Sequence, residues 1–195
     1  MTLYTVDTLL SLVLLSVLFA FGSSRVPALI KVMAFQGIVV SIIPFFITPD
    51  METGAVIFTL ATLVIRGVII PLSLHLAIKK VAIQREVSPI VGYHASLFCG
   101  LGLIVAAAVI SRYLNIPSIT DSALLFPAAI SLLVTGMFLL MARRNAIAMV
   151  IGYIMLENGI YLTGTTFSTQ ARHIVEFGIL LDVLAGVMIM AIILQ

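Results

Sequence analysis

Apolar runs of about twenty residues, separated by short polar turns, repeat from one end of this chain to the other. A helix needs roughly 20 mostly apolar residues to cross a bilayer. Seven stretches meet that requirement: 4–23, 29–48, 54–78, 91–113, 122–141, 145–166 and 173–194. The breaks between them carry turn chemistry: Gly22-Ser23-Ser24, Thr48-Pro49-Asp50, Ser88-Pro89, Asn115-Ile116-Pro117 and Ser168-Thr169-Gln170. The tightest break is Ala142-Arg143-Arg144. The apolar run across it is too long for one helix, so two helices must meet there. The pattern predicts an all-α, polytopic membrane helix bundle with about seven transmembrane helices.

Composition strengthens that reading. The chain is 62% hydrophobic and only 9% charged, whereas soluble domains run to about 45–50% apolar and about 25% charged. Too little polar material remains to cover a water-soluble globule, so we expect one integral membrane domain over residues 1–195. The net charge of +2 gives no reason to expect nucleic acid. A single cysteine, Cys99, excludes an internal disulfide, and an iron–sulfur or zinc centre held by this chain's thiolates alone. The chain lacks a ligand set for a metal centre, so we expect no metal. Residues 1–10 carry only Asp7 and no basic stretch, which reads as a retained first helix and not a cleaved signal peptide.

The placement of basic residues sets the expected topology. Arg25, Lys31, Lys79, Lys80, Arg85, Arg143 and Arg144 fall in alternate loops, on one side of a seven-span map. The other side holds Arg112 and Arg172, with the acids Asp50, Glu52 and Asp121. Basic residues concentrate on the cytoplasmic side. The map thus puts the N-terminus outside and the C-terminus at the cytoplasmic face of the cell's inner membrane.

Three ionisable residues break the apolar runs themselves: Arg66, Glu157 and Asp182. A charge at the bilayer centre costs about 2.5–3.5 kcal/mol on insertion scales, so it is rare and points to function. At 1.5 Å per residue, Glu157 lies roughly 18 Å from one face and Asp182 roughly 15 Å from the other, both near the midplane. Arg66 reaches a similar depth. A bundle that gathers them holds a carboxylate pair beside a cation.

Spacing adds candidates. Gly178, Asp182 and Gly186 repeat every fourth residue, a small-residue stripe that lets a neighbouring helix approach and aims Asp182 at it. Tyr153 and Tyr161 flank Glu157 one turn either way, where their hydroxyls could bond the carboxyl or hold water. Glu176, with His173 three residues before it, suggests an outer-end pair, and His75 and His94 lie near the cytoplasmic ends of the third and fourth stretches. Pro71 cannot donate to the carbonyl of Gly67, which predicts a kink beside Arg66. Each has a plainer reading. Arg66 could snorkel or pair structurally, Glu157 and Asp182 could be packing residues, and the histidines could be interfacial. The nine methionines read as gap fillers. Lys79-Lys80 and Arg143-Arg144 read as topology determinants or lipid head-group contacts.

The stretch Arg144-Asn145-Ala146-Ile147, then Ile151-Gly152-Tyr153-Ile154-Met155-Leu156-Glu157-Asn158-Gly159, and the stretch Val175-Glu176-Phe177-Gly178-Ile179-Leu180-Leu181-Asp182 are distinctive. Together they resemble the component E subunit of hydrogenase-4 and related formate hydrogenlyase complexes. Arg66-Gly67-Val68-Ile69-Ile70-Pro71-Leu72 resembles that family's basic segment in the third helix, where lysine takes the place of Arg66. Residues 122–195, the last three helices, also resemble the K-type subunit of respiratory complex I and the C-type subunit of Mrp antiporters. Residues 1–121 supply the four helices before them. Asp182 falls where the K-type subunit has its second carboxylate, and Glu157 about one turn beyond the first.

The resemblance implies a non-catalytic membrane-arm subunit of a [NiFe] hydrogenase or formate-hydrogenlyase-like complex. It implies an oxidoreductase partner but no active site and no haem, flavin, quinone, cluster or other cofactor in this chain. Glu157, Asp182 and Arg66 would translocate protons, with Glu176, His75, His94, Tyr153 and Tyr161 as candidate relay or support. The partners implied are antiporter-like and other membrane subunits, and the lipid bilayer. Two alternatives stay open: an Mrp-type Na⁺/H⁺ antiporter subunit, and a scaffold whose polar groups only lock helices together.

Overall fold

The computed structural model describes residues 2–23, 25–47, 53–81, 92–114, 122–143, 145–167, 182, 184–189 and 191. They form α1 (Thr2–Gly22), α2 (Val26–Ile47), α3 (Thr53–Val64), α4 (Ile70–Val81), α5 (Tyr93–Leu114), α6 (Leu125–Ala142) and α7 (Ala146–Phe167). A π-helical turn, Ile65–Ile69, joins α3 to α4. Six spans among the described residues are long and apolar enough to cross a membrane, with α3, the π turn and most of α4 making one of them. These correspond to the first six predicted stretches. Of the seventh, 173–194, only 182, 184–189 and 191 are described, and all are helical.

α7 is the inner helix. Its most apolar window is 67% buried, against 17% for α5, which lies on the rim. α7 packs on α6 and α2, and α1 fills the space between α2, α5 and α6. Small residues explain the close α6–α7 pairing. A methyl placed on Gly136 would lie 2.4 Å from the Leu156 nitrogen, and one on Gly159 2.6 Å from the Leu133 nitrogen. The two backbones touch because no side chain stands between them, the device that brings helices together in lipid. The turn between them is short because Asn145 caps α7. Its side-chain oxygen accepts the Ile147 N–H at 2.9 Å, and its carbonyl accepts the Met149 N–H at 3.0 Å.

Arg143, in that turn, is buried and donates from Nη2 to the Ser23 carbonyl at the end of α1, at 3.0 Å. This corrects the reading of Arg143 as a head-group contact: the side chain turns inward and fastens one interhelical turn to another. At the opposite end of the bundle, Ser122 donates to Asp7 at 2.6 Å.

The apolar core comes in two halves. One half contains Leu29, Ile30 and Met33 of α2, Leu74 of α4 and Ile147 to Met155 of α7, and Ala185 and Ile189 join it. The other contains Val6 to Phe21 of α1, Val39 to Ile43 of α2, Leu125 to Leu132 of α6, and Tyr161 and Leu162 of α7. Between the halves each helix contributes buried polar or small residues: Gln36 and Gly37 from α2, Thr135 and Gly136 from α6, Glu157 and Asn158 from α7. Arg66 and Asp182 are buried there too, bonded to that part of α7. A polar layer thus crosses the bundle at mid-height.

Candidate functional site: a buried arginine–carboxylate cluster

Arg66 sits in the π turn, and the sequence accounts for that turn. Pro71 has no N–H to return to Gly67, so the regular ladder fails one turn after Arg66. The Ile70 N–H instead donates to the Ile65 carbonyl, five residues back, which is the π pattern. The wider turn points Arg66 inward while its neighbours face out: Arg66 is 1% exposed, Val68 58% and Ile69 50%. Gly37 of α2 makes room. A methyl on Gly37 would stand 3.1 Å from the Arg66 Cβ and 3.3 Å from its carbonyl oxygen, so only glycine lets α2 lie this close.

The guanidinium uses all three of its nitrogens. Nη2 donates to Glu157 Oε1, Nη1 to the Asn158 side-chain oxygen at 3.2 Å, and Nε to Asp182 Oδ1 at 3.3 Å. The Tyr161 ring stacks over it, 4.8 Å from Cζ to the centroid, a cation–π contact of the kind that strengthens when desolvated. One side chain thereby ties the π turn to α7 and to the helical residue 182. Burying an isolated ion is far too costly, so the partners are a condition of Arg66 being there at all.

What the cluster leaves unpaired matters as much. Glu157 Oε2, Asp182 Oδ2 and Asn158 Nδ2 are buried and meet no donor or acceptor. Each carboxyl group thus gives one oxygen to Arg66 and keeps one free. One guanidinium faces two carboxyl groups, so with both ionised the cluster carries one excess negative charge, which a proton on either carboxyl would cancel.

The structure brings together four of the residues singled out from sequence: Arg66, Glu157, Asp182 and Tyr161. Tyr153 is half-buried one turn away and packs against the apolar half-core that contains Ile147 to Met155. His75 and His94 are exposed on the bundle surface and do not join the cluster's hydrogen bonds. Glu176 and His173 lie outside the described residues, as does Gly178. Gly186 overturns the small-residue stripe. It is exposed, with nothing within 4 Å of a methyl built on it. The buried face of this helix runs instead through Asp182, Ala185 and Ile189. Sequence reasoning missed Asn158, a neutral amide in an apolar helix next to Glu157, and Gly37.

Fold and site together define a class: an all-helical protein with, among the described residues, six helices of membrane-spanning length, built around a buried arginine that bridges two carboxylates. The chain belongs to the family of the Mycobacterium tuberculosis protein Rv0085, described as uncharacterized, with which it is 31% identical over 185 residues, 93% of this chain and 83% of the relative. No protein-family model matches the chain, and no solved structure matches it.

Proposed function

We propose that this chain is a non-catalytic membrane-arm subunit of a [NiFe] hydrogenase or formate-hydrogenlyase-like complex, in which Glu157 and Asp182 hold and release a proton beside Arg66. The observation that carries the proposal is the guanidinium held between two buried carboxylates, each with one unpaired oxygen. With both carboxyls ionised the low-dielectric site carries a net negative charge, which is costly unless a positive charge approaches. Ionisation here is therefore tied to charge movement in a neighbouring subunit, as proton translocation by such a complex requires. The working topology has seven spans, the N-terminus outside and the Arg143 turn at the cytoplasmic face of the inner membrane. Residues 122–195 form the three-helix unit, and antiporter-like subunits lie alongside.

The test is to copurify the chain with its partners and measure proton pumping per redox turnover in vesicles. Glu157→Gln and Asp182→Asn keep shape and hydrogen bonding but remove titration. Each should leave assembly and redox turnover in place while pumping falls. Unchanged pumping in the double variant refutes the proposal. One observation favours a scaffold role instead: Arg66 bonds three side chains from two separate parts of the chain. That reading predicts that the neutral variants pump normally and that removing Arg66 disrupts assembly.

A further inference from the structure

A trough runs along the outside of the α1–α2 pair, at the end of the bundle that carries Arg25 and Arg143. One wall is an exposed stripe of α1, Leu12, Leu15 and Phe19, and the other is a stripe of α2 through Val32 and Phe35. Cavities of about 390 and 280 Å³ share Leu15, Phe19 and Val32, and so form one continuous groove. Leu97 of α5 borders it near the turn. From Leu12 to Gly22, α1 rises by about 15 Å. That is one leaflet of a hydrocarbon core about 30 Å thick.

Cations border the trough. Lys31 lines it beside Leu15 and Phe35 and is exposed. Arg25 is exposed just before α2 begins. Ser23 lines the trough as well, and its carbonyl rests on buried Arg143, whose Nε and Nη1 meet no acceptor. Among the described residues the ion pairs are those of Arg66, and no described acid pairs with Lys31, Arg25 or Arg143. Three cations without a described acid partner thus border an apolar slot as deep as one leaflet.

We propose that this trough binds an anionic phospholipid, one acyl chain lying along Leu12, Leu15 and Phe19 and the phosphate held by Lys31 and Arg25. Arg143 adds its charge from beneath the turn. A free phosphate ion would leave the slot empty, and a zwitterionic lipid would fill it without offsetting the cations. The site is independent of the proton-relay proposal, since it lies on the outer face of α1 and α2, away from Arg66.

The experiment takes the purified full-length chain in mixed micelles with equal amounts of phosphatidylglycerol and phosphatidylcholine, and counts retained lipids by native mass spectrometry. Wild type should retain phosphatidylglycerol preferentially. Lys31→Gln and Arg25→Gln should each cut that preference roughly five-fold, the scale of one basic residue at an anionic membrane surface. Leu15→Trp should displace both lipids by filling the slot. Lys79→Gln, an exposed lysine off the trough, should change nothing. Preference retained in the Lys31→Gln/Arg25→Gln double variant overturns the proposal. So does an equal loss in Lys79→Gln, which would mean a general charge effect, or unchanged lipid retention in Leu15→Trp.

Discussion

Replacing Arg66 with leucine removes the cation and strands its partners. Arg66 is 1% exposed and its three bonds go to Glu157, Asn158 and Asp182, so no solvent is at hand to replace it. Breaking a buried pair by removing one partner costs about 3–5 kcal/mol, because the other charge stays buried and uncompensated. For a chain of this length that is a fall in melting temperature of roughly 6–20 °C. Removing all three charges together, in Arg66→Leu/Glu157→Gln/Asp182→Asn, leaves amides that can bond each other and no unpaired ion. The triple variant should therefore recover more than half of the loss. Arg66→Lys keeps the charge but not the planar fork, so it should fall between wild type and Arg66→Leu. Thermal unfolding of the detergent-solubilised full chain, followed by circular dichroism, measures all four proteins. An Arg66→Leu protein as stable as wild type, or a triple variant no better than the single one, would refute the reasoning.

Gly136→Ala puts a methyl against the α7 backbone and should cost about 1–3 kcal/mol by overpacking, read from the same melts. Gly102→Ala, exposed with open space around it, should be neutral or stabilising by up to about 1 kcal/mol. Asn145→Ala removes the α7 cap and should cost about 1 kcal/mol, and an unchanged melt would argue against the cap. Pro71→Ala restores the missing donor and lets the π turn relax, turning Arg66 by roughly 100° relative to α4. Its cost should overlap with that of Arg66→Leu, so that the double variant loses clearly less than the sum. Full additivity would separate the π turn from the cluster.

The residues that sequence located are those whose burial carries a large energetic penalty. Arg66, Glu157 and Asp182 stand out because a charge within an apolar run has few acceptable settings, and Pro71 because it removes a definite hydrogen bond. Asn158 and Gly37 did not stand out. A neutral amide carries a weaker penalty, and a glycine gives no sign of which neighbour it must admit until the helices are placed. Gly186 shows the reverse failure. Fourfold spacing gave it the same face as Asp182, but the buried face turned out to run through Ala185 and Ile189. Arg143 was misread for a related reason: a basic loop residue looks alike in sequence whether it meets lipid or the carbonyl of Ser23. The helices themselves were legible because length and hydropathy alone specify them.

The long sequence separation within the cluster has a consequence for biogenesis. Glu157 lies 91 residues after Arg66, and Asp182 lies 116 residues after it. Ribosomes add about 5–20 residues per second, so Arg66 emerges roughly 6–23 s before its last partner. Until Glu157 emerges the segment holding Arg66 lacks both of the carboxylates that pair with it in the fold, and its entry into the bilayer must be shielded by water, lipid or the insertion machinery. The arrival of Glu157 and then Asp182 ends that exposure. Truncation before residue 157 should therefore leave a nascent chain that the cell's quality control recognises at Arg66, well upstream of the truncation itself.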